Sequence, residues 1–154
     1  MDGMGLYRWA HAAKKLGLPL VPELLRRGNQ LLFGCWIPPE AELGEGTQLG
    51  YGGLGVVLHR GVRVGRRCLL SQQVTLGGRS GLKGVPVLGD HVRVGAGAKI
   101  LGPVHVGDWA VVGANAVVLK DVPPGGVVAG IPARLLRVEP DPRAAWVRDM
   151  GGAP

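Results

Sequence analysis

One Phe, two Tyr and four Trp in 154 residues are too few aromatics to fill a thick globular core. What such a composition allows is a single compact domain with a thin, aliphatic interior. Cysteine is just as scarce. Cys35 and Cys68 cannot make a disulfide framework, and they read as core thiols of a protein in a reducing, cytoplasmic setting. Long apolar runs are missing too: the stretch near Leu16 to Leu25 is interrupted by Pro19, Pro22 and Glu23, so no membrane span is expected. Met1 to Gly5 lacks the basic start of a secretory leader. Although 18 basic residues against 11 acidic ones give a formal charge of +7, the Lys and Arg are dispersed, with no stacking aromatics among them. That argues against a nucleic-acid partner and for a phosphorylated small molecule together with a solvated basic surface.

Glycine, by contrast, is abundant at 28 residues, and it falls into a pattern. From Val87 to Pro132 an apolar anchor returns every sixth position as Leu88, Val94, Ile100, Val106, Val112 and Val118. Four residues after each anchor stands a small or β-branched residue: Val92, Ala98, Val104, Ala110, Ala116 and Val122. Gly89, Gly95, Gly107 and Gly113 directly follow four of the anchors. A period of six fits neither a lone helix nor an ordinary sheet. It fits a prism of short parallel strands in which three turns close one coil of eighteen residues, the signature of a parallel β-helix. One branched anchor per strand fills the interior, while small residues occupy the corners where stacked coils approach closely.

Ahead of the prism, Leu6, Trp9, Ala10, Ala13 and Leu16 keep helical spacing, and Gly17 ends that pattern. Pro22 opens a second helix that carries Leu24, Leu25, Leu31, Leu32 and Phe33 as far as Gly34. The chain therefore divides into a helical cap over 1–34, a β-helix over 35–134 and a tail over 135–154. The six-residue beat starts at Ile37 and breaks twice. A glycine cluster from Gly50 to Gly55 inserts three residues, and Gly77 to Pro86 forms a basic, glycine-rich loop expected to protrude. Pro123 to Gly126 ends the prism, and Asp141 with Pro142 starts a short terminal helix through Trp146.

Gln72 to Gly78 (QQVTLGG), Gly95 to Gly102 (GAGAKILG) and Val122 to Arg134 (VPPGGVVAGIPAR) together resemble the serine acetyltransferases of the hexapeptide acyltransferase superfamily. Gly50 to His59 (GYGGLGVVLH) looks more like the short members that acetylate polysaccharides. Parallel crossovers are right-handed in about 98% of cases; the resemblance implies the exception, a left-handed parallel β-helix of hexapeptide repeats with an N-terminal α-helical cap. It also implies a homotrimer that binds acetyl-CoA in grooves between prisms. Carried over by position, Ala96 and Ala114 would lie along the pantetheine arm, Gly78 would border the thioester, and Lys120 and Arg134 would approach the phosphates. The family pattern has an Asp-His pair where this chain has Tyr51 and Gly52, and a histidine where it has Val85. The tail Gly151 to Pro154 lacks the terminal isoleucine by which such enzymes dock a sulfhydrylase.

Acyl transfer to a hydroxyl needs a base near neutrality and donors for the thioester oxygen. His59 follows the inward Leu58 and so points outward, which makes it the candidate base. His105 also points outward, His91 on a turn beside Asp90 reads as solvated, and His11 reads as structural. Tyr51 is an alternative donor or a plug, and Gln72 or Gln73 is a candidate for orienting the acceptor. A zinc site is not expected, because His91 and His105 are fourteen residues apart and do not stack in one eighteen-residue column. The resulting expectation is an acetyl-CoA-dependent O-acetyltransferase acting on a sugar, a polysaccharide precursor or an L-serine-like acceptor. The alternative is a non-catalytic, trimeric CoA-binding module. One outward stripe, Leu101, Val117 and Leu119, should be covered either by another subunit or by the tail around Leu135 to Trp146.

Overall fold

The structure, a computed structural model, describes residues 2–150, apart from the side chains of 149 and 150. Gly151 to Pro154 lie outside the described residues. Helix α1, Gly3–Lys15, starts where the Asp2 carboxylate accepts the Gly5 amide at 2.8 Å. Helix α2, Val21–Phe33, has Pro22 in its first turn and ends at Gly34, whose φ of 62° turns its amide back to the Gln30 carbonyl.

The expected parallel β-helix follows. Its first face stacks Glu42–Leu43, Arg63–Val64, Val87–Leu88 and His105–Val106. The second stacks Gln48–Leu49, Leu69–Leu70, Arg93–Val94, Val111–Val112 and Gly126–Gly130, with Ala133–Val138 added antiparallel at its end. The third stacks Val57–Leu58, Thr75–Gly77, Lys99–Leu101 and Val117–Val118. In the regular coils Val87 pairs with His105, Arg93 with Val111 and Lys99 with Val117, steps of eighteen residues. Both expected interruptions show in the register. Leu49 pairs with Leu70, the extra residues being taken up in a turn at Gly50–Gly53. Leu70 pairs with Val94 and Leu76 with Ile100, and here the surplus forms the exposed loop ahead of Pro86.

Anchors Leu58, Leu70, Leu76, Val94, Ile100, Val106 and Val112 are buried, and so are the corner residues Val92, Ala98, Ala110 and Ala116. Each buried Val, Leu or Ile side chain contributes roughly 1.5–3 kcal/mol. The glycines after the anchors are dictated by contact between coils. A Cβ at Gly95 would lie 2.6 Å from the Ala114 amide nitrogen, and one at Gly107 would strike the Pro124 backbone.

Two expectations about packing need correction, and a third loses one of its two alternatives. Helix α1 buries Met4, Tyr7, Ala10 and Ala13 and leaves Trp9 and Leu16 in solvent. The prism end offers a polar socket that a phenol fills: the Tyr7 hydroxyl donates to the Ala41 carbonyl at 2.6 Å and accepts from the Leu43 amide. His91 is not solvated. It shares a corner position, one coil apart, with Trp109, and the two rings stack in parallel with centroids 3.8 Å apart. Nor does the tail cover Leu101, Val117 and Leu119, because helix α3, Pro142–Met150, lies against the second face. There Trp146 meets His91 and Trp109 edge-on, and Arg93, Val111 and Val127 line the same crevice.

Candidate active site

His59 stands at the edge between the third and first faces, one residue after the inward Leu58. It is exposed and lines a cavity of about 970 Å³. The walls of that cavity are the α1–α2 turn with Leu18 and Leu20, Trp36 ahead of the prism, and Val57 and Thr75 of the third face. Arg26 lies over the Trp36 ring at 3.7 Å and is held there by the Glu23 carboxylate, which accepts its Nε hydrogen at 2.8 Å. Hydrogen bonds from Arg26 and then Arg27 hold the Glu23 carboxyl down to about 2. Lys14 and Glu40 pair at the rim, 2.8 Å apart.

The ring of His59 is oriented by its own turn, since Nδ1 accepts the Gly61 amide hydrogen at 3.1 Å. A donor at Nδ1 leaves the proton of the neutral imidazole on Nε2. In this rotamer the ring presents a donor to the cavity, and it becomes a base only when Nδ1 exchanges Gly61 for another partner. The side chain is exposed, so solvent or an acceptor hydroxyl can reach the ring.

The other positions separate onto two edges. Ala96 and the exposed Ala114 stack one coil apart on the edge between the second and third faces, where the Asn115 amide donates to the Ala96 carbonyl at 2.8 Å. Arg134 pairs with Ala129, whose Cβ adjoins Gly113, and so it stands at the end of that same edge. Gly78 and Lys120, both exposed, lie on the opposite edge, the one that carries His59. The space around Gly78 is open. None of the five lines the His59 cavity, and within one chain the third face separates the two groups. Tyr51 is exposed at a φ of 50°, so it is no plug. His105 is exposed and His11 bonds the Pro39 carbonyl through Nδ1 at 2.8 Å. Among the described residues no three His, Cys, Asp or Glu side chains gather as a metal site would require.

Trp36, Arg26, Leu18 and Leu20 are wall residues that sequence reasoning missed. Glu23 and Arg26, three apart on a helix, are a visible pair. Trp36 gives no signal of its own, since it precedes the six-residue beat and joins the third face only through a bridge to Val57.

A family described as Bacterial transferase hexapeptide (six repeats) matches residues 86–120. Serine acetyltransferase of Synechococcus elongatus is 43% identical over 141 residues, which cover 87% of this chain and 57% of that protein. This chain belongs to the serine acetyltransferase family. Its fold is the left-handed parallel β-helix with an N-terminal helical cap. The serine acetyltransferase of Helicobacter pylori strain J99 is 39% identical over 132 residues, covering 84% of this chain and 77% of that one. A solved serine acetyltransferase in complex with cysteine superposes with a TM-score of 0.85 at 32% identity, over 96% of this chain and 57% of the other. One in complex with CoA gives a TM-score of 0.79 at 33% identity, over 87% and 55%. The chain thus spans just over half the length of the first of these relatives. At the slot where the serine acetyltransferase pattern has its second histidine, Val85 packs partly buried against the core. His59 is beside it: a Cβ placed on Gly61 would lie 3.3 Å from Val85 Cγ2 and 3.5 Å from His59 Nδ1.

Proposed function

We propose that this chain is a cytoplasmic, homotrimeric acetyltransferase that moves the acetyl group of acetyl-CoA to an acceptor hydroxyl, with His59 as general base. The observation that carries this reading is the place of His59, exposed in a large cavity and adjoining the Val85 slot from which the family histidine is missing. A neighbouring residue on the same edge then supplies the imidazole that Val85 cannot.

Acetyl-CoA supplies an acyl group on a thiol leaving group. Ala96 and Ala114 fit its pantetheine arm, because small side chains let a thread approach the backbone, and the exposed cations Lys120 and Arg134 fit its phosphates. Gly78 leaves room at the thioester. Since these residues flank the third face from both sides, the groove is completed by the edge of a neighbouring subunit. His59, freed from the Gly61 amide, takes the hydroxyl proton as the oxygen attacks the carbonyl. The same proton then goes to the departing sulfur, leaving an ester, free CoASH and neutral imidazole.

The relatives' names make L-serine the first acceptor to test. A sugar or polysaccharide precursor is the second, favoured by a cavity of about 970 Å³ floored by Trp36, far larger than serine needs. Thiol release from acetyl-CoA with L-serine and a sugar panel separates the two. CoA binding without turnover on any acceptor supports the non-catalytic module instead. His59→Ala is expected to lower kcat by about 10² to 10⁴ and to leave CoA affinity within a few fold. An unchanged kcat removes His59 from the mechanism.

A further inference from the structure

The helical cap exposes more large apolar side chains than a solvated helix pair needs. Trp9 is 68% exposed, Leu16 76%, Leu24 66% and Leu31 86%, while α2 buries only Asn29. These residues are ordered along the helices. Trp9 and Leu16 lie seven apart, two turns along one side of α1, as do Leu24 and Leu31 on α2. The α2 stripe lies on the side turned away from the buried Asn29, and in α1 Trp9 and Leu16 stand on the outer side of the buried Ala13, across the helix from Met4 and Tyr7. The turn between the helices adds the exposed Leu18 and Leu20.

We propose that this outward surface of the α1–α2 hairpin docks onto an anionic lipid surface. Charge selects that occupant. Residues 2–34 hold five basic side chains, Arg8, Lys14, Lys15, Arg26 and Arg27, against two acidic ones, Asp2 and Glu23. Lys14 pairs with Glu40, and Arg26 and Arg27 share Glu23, so Arg8 and Lys15 are the cations this surface offers to a partner. A second copy meeting this face through a two-fold axis would set like charges against one another. A bilayer bearing anionic headgroups instead receives the leucines and Trp9 at its acyl boundary and pairs with Arg8 and Lys15. Binding is interfacial, since among the described residues no helix is long and apolar enough to cross a membrane. Leu18 and Leu20 belong both to this surface and to the wall of the His59 cavity, so the docked surface borders that cavity.

Co-sedimentation of the full chain with phosphatidylglycerol–phosphatidylcholine vesicles tests the proposal, with pure phosphatidylcholine vesicles and high salt as comparisons. The expected result is binding to the anionic vesicles that is at least tenfold weaker on phosphatidylcholine and falls with salt. Leu24→Glu with Leu31→Glu should weaken it at least tenfold, with the circular dichroism spectrum and sedimentation coefficient unchanged, since both positions are exposed. Wild-type protein left in the supernatant, equal binding to both vesicle types, or undiminished binding by the double variant each overturns it. So does a double variant whose assembly dissociates, because the face then belongs to a second copy.

Discussion

At position 91 the imidazole lies flat on Trp109, with the ring of Trp146 edge-on at 5.5 Å, and its Nδ1 is buried without a hydrogen-bond partner. Burial lowers the pKa of His91 below the usual 6.5, and the nearby Arg67 and Arg66 push the same way against Asp90 and Asp108. The neutral ring is therefore the one that suits the stack, and the unfolded chain takes up the proton first. Stability from this site is present above about pH 6.5 and lost as pH falls through the lower folded value. Melting temperature should drop on acidification through that window, with the near-ultraviolet tryptophan signal changing alongside it. His91→Phe keeps a flat ring that does not titrate, and no hydrogen bond at Nδ1 is lost. It should flatten that pH slope, and an identical slope in wild type and variant would remove His91 from the pH response.

Elements of the prism follow from side-chain periodicity because each strand makes its contacts at a fixed register, so anchors, corner residues and both insertions were legible in the sequence. The glycines of the prism nonetheless carry different loads, according to whether they directly follow an anchor, as Gly107 does, or stand one residue farther on, as Gly78 does. Gly107→Ala drives a methyl group into the Pro124 backbone and should cost about 1–3 kcal/mol in urea denaturation. Gly78→Ala meets open space and should stay within about 0.5 kcal/mol of wild type. Equal effects would mean that contact between coils does not set the pattern. Illegible were the features that depend on partners far along the chain. Tyr7 rather than Trp9 faces the prism because of the Ala41 carbonyl, 34 residues away, and His91 is enclosed because α3 folds back onto its corner. The site was half legible for the same reason. His59 could be placed outward by alternation, but its bond to Gly61 and the wall supplied by Trp36 and the α1–α2 turn come from tertiary packing.

For the whole molecule, the proposed trimer needs a face to meet through, and the third is the candidate. The second face carries helix α3, and the hairpin of α1 and α2 borders only the start of the third, at the His59 cavity. Farther along that face Leu101, Val117 and Leu119 are only half-buried, and the tail that was one candidate to cover them lies elsewhere. The two edges of this face hold Ala96, Ala114 and Arg134 on one side and Gly78, Lys120 and His59 on the other. If a neighbouring subunit covers the stripe, the same contact that buries the leucines also brings one edge of each kind together, so the trimer and the cofactor groove form in one step. Leu101→Glu with Leu119→Glu places two carboxylates in that contact without touching the buried anchors Ile100 and Val118. The expected outcome is a monomer by sedimentation velocity that keeps the β-sheet circular dichroism of the wild type and no longer binds CoA in a calorimetric titration. A double variant that still sediments as a trimer would show that the subunits meet through another face.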